Sequence, residues 1–246
     1  MRQNQESNPP KRTRLNKYLS NAGICSRRMA DQFIAMGLVC VNGKVVTEMG
    51  YQVKLGDQVH YDDKPVNSRP HVYLLLNKPK GFVATKQGRK VKKSVQELIR
   101  TANYEKVPPI GDMGRTVMGL LLLTNDYKLR QKLTNPRSRY TTIYQVILEK
   151  NAETKDLEAL TKGIRIMDKV QKVKSAVYIQ GGTKKEIGIE GYNISPGLLK
   201  KLLEKRHLKI VSMDRVMIGR LTKKDLPRGR WRTLTSKELQ FLKMIS

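Results

Sequence analysis

From Leu15 onward the apolar residues Leu15, Tyr18, Leu19 and Ala22 fall at i, i+3, i+4 and i+7, one face of a short helix, and Gly23 supplies its stop. Ser26 then offers an N-cap to a second helix, whose Met29, Ala30, Phe33 and Ile34 share a face until Gly37 ends it. The period changes next: VCVNGKVV is two β-branched runs around Asn42-Gly43, a pair favoured in two-residue hairpin turns. A further strand pair around Gly56-Asp57 is expected to close a small unit over residues 14–61.

The stretch ahead of this unit, MRQNQESNPPKRTR, is polar, contains prolines and has no apolar period, so residues 1–13 read as a disordered basic arm. Residues 62–71, DDKPVNSRPH, are charged and interrupted by Pro65 and Pro70, which reads as a linker. Residues 72–246 have a different texture. VYLLLNKPKGF predicts a buried strand followed by a turn at Pro79-Lys80-Gly81, and GLLLLTND predicts a second apolar strand. Strands at YQVILE and AVYIQ and helices at 153–162 and 196–206 complete a mixed α+β domain.

Charge changes the picture from fold to partner. The 246 residues include 49 Lys and Arg against 21 Asp and Glu, a formal charge of +28, which exceeds what solubility needs and points to a polyanion. Of these, 10 basic and 6 acidic residues fall in 1–66, and 39 and 15 in 67–246. Cys25, Cys40, His60, His71 and His207 have no spacing that suits zinc, so reduced thiols and no metal are expected. No apolar run approaches the roughly 20 residues that span a bilayer, and Met1 to Arg14 lacks the apolar core of a signal peptide. A cytoplasmic monomer is the expectation.

In the small unit, Arg14, Lys17, Arg27, Arg28 and Lys44 stand at helix starts and a hairpin turn, where a packed core has no use for them. They form a basic surface. The run RLNKYLSNAGICSRRMADQFIAMGLVCVNGKVV resembles the S4 RNA-binding domain, with SRR, the following helix and VNG carrying the likeness. A helix-turn-helix DNA reader shares the two helices, but the immediate VNG hairpin argues against it. In TKQGRKVKK, Lys86, Arg89, Lys90, Lys92 and Lys93 are too dense for a buried element and predict a surface arm, read as contacting phosphate. Lys78, Lys80, Lys200 and Lys201 complete the expected RNA-binding set.

The larger domain is similar to the ribosomal RNA pseudouridine synthases that carry an N-terminal S4 domain, through LLLNKPKGF, GLLLLTND followed by LTNP, IYQVIL and DRVMIGRLTKKDLPRGRWRTLT. The resemblance implies a reaction that breaks a uridine glycosidic bond, turns the uracil and rejoins it through carbon, with no cofactor. It also implies an aspartate in a G-R-L-D segment about five residues before G-L-L-L. That segment here is Gly111-Asp112-Met113-Gly114, so the aspartate position is Gly114 and the arginine position Asp112. If the stretch is extended, Asp112 and position 114 share a side but sit roughly 6 to 7 Å apart, too far for simple substitution.

Other positions implied by the resemblance depart as well. In the family's K-x-Y pattern Tyr144 keeps the ring that faces the base, while the lysine position is Thr142. Tyr144 reads equally as a strand residue packed for its area. The family's Arg-rich segment aligns with Pro196-Gly197-Leu198-Leu199-Lys200-Lys201, where Gly197 replaces an arginine and the lysines keep charge without a guanidinium's planar fork. Asp126 and Asp214 read as turn or structural carboxylates. The expectation is a degenerate member, a pseudoenzyme with lost or weak isomerase activity, that binds structured ribosomal RNA. An active isomerase and a nonspecific basic DNA- or membrane-surface protein are the alternatives.

Overall fold

The computed structural model describes residues 13–54, 56–66, 71–84, 93–100 and 107–244. Two compact units divide after His71. In the first, β1 (Thr13–Arg14) leads into α1 (Leu15–Asn21) and α2 (Arg27–Ala35). The Ser26 hydroxyl accepts the Met29 N–H at 3.1 Å, as the N-cap reading requires. β2 (Val39–Val41) and β3 (Lys44–Val45) form the expected hairpin about Asn42 and Gly43, both at positive φ.

The strands flanking Gly56-Asp57 exist but do not pair with each other. β4 (Gln52–Val53) joins β1, whereas β5 (Val59–Tyr61) lies between β2 and β6 (Lys64–Val66). The Asp57 carboxylate accounts for the difference. It accepts the Lys54 N–H at 2.8 Å and the Asn42 side-chain amide at 2.9 Å, tying this turn to the neighbouring hairpin tip. The segment expected as linker therefore begins as β6. Pro65 is tolerated there because β6 is the edge of a β3-β2-β5-β6 sheet, where a missing N–H breaks no ladder. Val66 closes a core with Leu15, Leu19, Ile34, Val39 and Val59.

The second unit runs β7 (Tyr73–Lys78), α3 (Val95–Leu98), β8 (Val117–Thr124), α4 (Tyr127–Thr134), β9 (Thr141–Leu148) and α5 (Thr154–Lys162). A separate hairpin, β10 (Ile164–Ile166) and β11 (Lys169–Gln171), precedes β12 (Ser175–Tyr178), β13 (Glu186–Tyr192), α6 (Pro196–Lys205) and β14 (Ile210–Ile218). β15 (Leu221–Thr222), β16 (Trp231–Thr233) and α7 (Ser236–Met244) end it. The sheet order is β12-β13-β9-β14-β8-β7-β16, with β15 on β14; β14 and β8 pair in parallel. The expected strands and the two expected helices are all present.

Burial follows the side-chain period. β9 buries Thr142, Tyr144, Val146 and Leu148, every second residue. β8 is apolar on both faces because both are covered: Leu120 and Leu122 pack with Leu129, Leu133 and Leu242, while Leu121 and Leu123 pack with Val95, Ile99 and Met113.

Candidate active site

The segment that leads into β8 is held by single bridges rather than by a full strand. Pro109 bridges Leu123, and Met113 bridges Ala84 with N–H to carbonyl bonds of 3.0 and 2.9 Å. Met113 is buried, and Asp112 and Gly114 on either side of it are exposed. Gly114 lies outside the left-handed region, and a Cβ built there meets no atom within 4 Å. The position is open to a side chain and has none.

Lys78, at the end of β7, sits behind this turn and requires a correction: it is fully buried and cannot reach an RNA phosphate. Its ammonium donates to the carbonyls of Pro79 at 3.2 Å, Gly114 at 3.0 Å and Val117 at 2.5 Å. Burial, with Arg228 and Arg215 nearby, pushes its pKa down to about 8. Lys80, beyond the turn, is exposed.

Arg215 of β14 is the second buried cation. It donates from Nε to the Leu120 carbonyl at 2.7 Å, and its guanidinium lies 3.4 Å from both the Tyr144 hydroxyl and the Met113 sulfur. Tyr144 is buried, with its hydroxyl donating to the Ile194 carbonyl at 2.9 Å, just ahead of α6. Burial raises its pKa against the opposing pull of Arg215. The ring thus serves packing in this structure and exposes no face on which a base could stack. Thr142, at the lysine position, donates to the Gly191 carbonyl at 3.2 Å and is buried.

Asp214 precedes Arg215 and accepts from Lys223 and Arg228, each at 2.6 Å. Burial pulls its carboxyl upward, but these hydrogen bonds and charges outweigh it and hold the pKa below the ordinary value. Gly119 makes the arrangement possible: its φ is +98°, and a Cβ there would lie 2.2 Å from the Arg215 carbonyl and 2.3 Å from the Asp214 carboxylate. The site therefore brings together four guanidinium or ammonium groups, Lys78, Arg215, Lys223 and Arg228, and the buried Asp214 carboxylate is already committed to two of them.

Gly197 is exposed in the first turn of α6, where Ser195 caps the Leu198 N–H at 3.2 Å. Lys200 and Lys201 are exposed on the same helix, and Lys200 lies 3.6 Å from Glu204. In the first unit Arg14, Lys17, Arg28 and Lys44 are exposed and Arg27 is half-buried. α2 has no acid in its first turn, so Arg27 and Arg28 add to the positive end of the helix dipole. Lys93 is exposed, and its carbonyl accepts the Val83 N–H at 2.9 Å. Arg89, Lys90 and Lys92, with Lys86, lie outside the described residues.

Sequence reasoning missed the roles of Arg215, Lys223 and Arg228. It identified the DRV segment as scaffold without the cations that surround it. Among the described residues, no three His, Cys, Asp or Glu side chains come together as metal ligands.

The second unit is thus a central sheet with one parallel junction and an exposed glycine in the turn before β8, and the first carries Arg27 and Arg28 at the start of α2. Residues 13–59 match the S4 domain and residues 72–194 match RNA pseudouridylate synthase; the chain belongs to that pseudouridine synthase family. It is 34% identical over 230 residues to an uncharacterized RNA pseudouridine synthase of Aquifex aeolicus, covering 92% of each chain. It is 30% identical to ribosomal large subunit pseudouridine synthase B of Bacillus subtilis, over 95% of this chain and 96% of that one. The dual-specificity RNA pseudouridine synthase RluF of Escherichia coli is 31% identical over 94% of this chain and 78% of its own length. A crystal structure of a pseudouridylate synthase superposes with a TM-score of 0.64 at 23% identity, over 93% of this chain and 99% of that one, a likeness of fold.

Proposed function

We propose that this chain binds structured ribosomal RNA in the cytoplasm and has lost uridine isomerisation. The observation that carries the proposal is Gly114: an exposed position, open on all sides, with no carboxylate where the family presents one. Bond-breaking at a sugar needs a group in near-contact geometry, and misplacement by about 1 Å already costs on the order of a hundredfold. The buried Tyr144, the non-basic Thr142 and the exposed Gly197 point the same way. The charge of +28 and the exposed cations of the first unit support retained RNA binding.

The second reading is an active synthase. It draws on the names of the relatives and on Asp112, which is exposed two residues from Gly114. A pseudouridine map of ribosomal RNA from cells with and without the gene separates the two. The proposal expects identical maps; loss of one modified site on deletion overturns it.

A further inference from the structure

A groove of about 860 Å³ lies in the second unit, away from the Gly114 turn. Arg137 and Arg139 enter it from the loop between α4 and β9, Arg220 follows β14, and Lys237 stands in the first turn of α7. All four are exposed, and among the described residues none of them forms an ion pair. Among the described residues, no carboxylate lines the groove. The acid of α7, Glu238, is committed to Arg232 at 2.7 Å.

The groove is built, not a loose fringe of side chains. Its floor is Phe241, which packs against the end of β14 because residue 219 is glycine: the φ is +58°, and a Cβ there would stand 2.7 Å from the ring. The Arg220 guanidinium lies over the same ring, 4.9 Å from its centre. The loop carrying Arg137 and Arg139 is pinned by the Asn135 side chain, which accepts the Arg137 N–H at 2.9 Å, and by the Tyr140 hydroxyl, which donates to Asn193 at 2.6 Å. Met213 pairs with Val117 beside the Gly114 turn, and Gly219 lies six positions further along the chain, just past the end of β14.

We propose that this groove holds a phosphodiester strand of RNA, a contact separate from the Gly114 face. Three arginines and a lysine, unpaired and spread over three chain segments, suit a run of phosphates better than a single anion. The guanidinium on the aromatic floor keeps one donor fork oriented. The inference rests on the reading of this chain as an RNA binder.

The test is the salt dependence of binding of ribosomal RNA to the full chain, comparing wild type with R137Q/R139Q/R220Q. The control is K155Q/K162Q/K209Q, which removes equal charge from exposed lysines that already pair with Glu153, Glu158 and Glu149. Each lost phosphate contact lowers the slope of log affinity against log salt by about 0.7 to 0.9. The groove variant should therefore be shallower by about 2, with the control within about 1 of wild type. Equal slopes for the groove variant and wild type, or equal losses in both variants, overturn the groove. A wild-type chain that binds no ribosomal RNA instead overturns the RNA-binding reading beneath it. Ultraviolet cross-linking of the wild-type chain gives a readout independent of any variant: cross-links at Lys237 or Phe241 are expected, and cross-links confined to other segments count against the groove.

Discussion

The Lys78 ammonium donates to the Gly114 carbonyl at 3.0 Å, so the exposed turn ahead of β8 is fixed from behind by a buried cation. The same ammonium reaches the Pro79 and Val117 carbonyls, tying the end of β7 to the start of β8. The backbone at Gly114 is therefore held in place.

From this follows the behaviour of Gly114→Asp. The new Cβ meets nothing within 4 Å and the backbone is unstrained, so stability should stay within about 0.5 kcal/mol of wild type in a urea melt. Isomerisation should remain absent in a pseudouridine assay, because Thr142 and Gly197 still lack their cations and Tyr144 is still buried. Activity from the single variant would show the remaining site to be competent.

Lys78 gives a pH signature. Its folded pKa of about 8 lies below its ordinary 10.5, so the folded state binds fewer protons and the cost of burying the charge is fully present below pH 8. Stability contributed by this residue should rise between pH 8 and 10.5, by up to about 3 kcal/mol. Urea melts across that window should show wild type gaining stability relative to Lys78→Met as pH rises; a constant difference would refute the assignment.

How much of this was legible beforehand depends on whether a contact is local. The helix at Ser26, the Asn42-Gly43 turn and the alternation in β9 are written in neighbouring residues, and the structure has them. Lys78 was misjudged as a surface cation, although Leu74, Leu76 and Lys78 share a face by the strand period and the two leucines are buried. That signal was present and was masked by the residue type. Lys223 and Arg228 carry no such signal: they meet Asp214 only because the chain reverses through β15. The pairing of β4 with β1 was likewise hidden, since it joins residues about 40 positions apart.

Asp214→Asn should be strongly destabilising. It leaves Lys223 and Arg228 facing each other without their shared carboxylate, a loss of about 3 kcal/mol on the scale of broken, partly buried ion pairs. The pKa of Asp214 is depressed, so its stabilisation is present above pH 4 and lost as pH falls through the lower folded value. Wild type should therefore lose more stability than the variant between pH 5 and the acid limit, as measured by denaturant melts.

Gly119→Ala tests the junction from the backbone side. An added methyl would lie 2.2 Å from the Arg215 carbonyl, 2.6 Å from its nitrogen and 2.3 Å from the Asp214 carboxylate, on a residue whose φ of +98° already excludes alanine. Relief requires β8 and β14 to separate at their parallel pairing of Arg215 with Gly119, which also withdraws Arg215 from the Leu120 carbonyl. A loss above about 4 kcal/mol is expected, a large share of the roughly 5–15 kcal/mol by which folded domains are stable. Circular dichroism melts should show the second unit's transition abolished or lowered by well over 10 °C. A variant with a wild-type melt would mean that β8 and β14 are not packed this closely, and the placement of Arg215 and Asp214 against Gly119 would have to be abandoned with it.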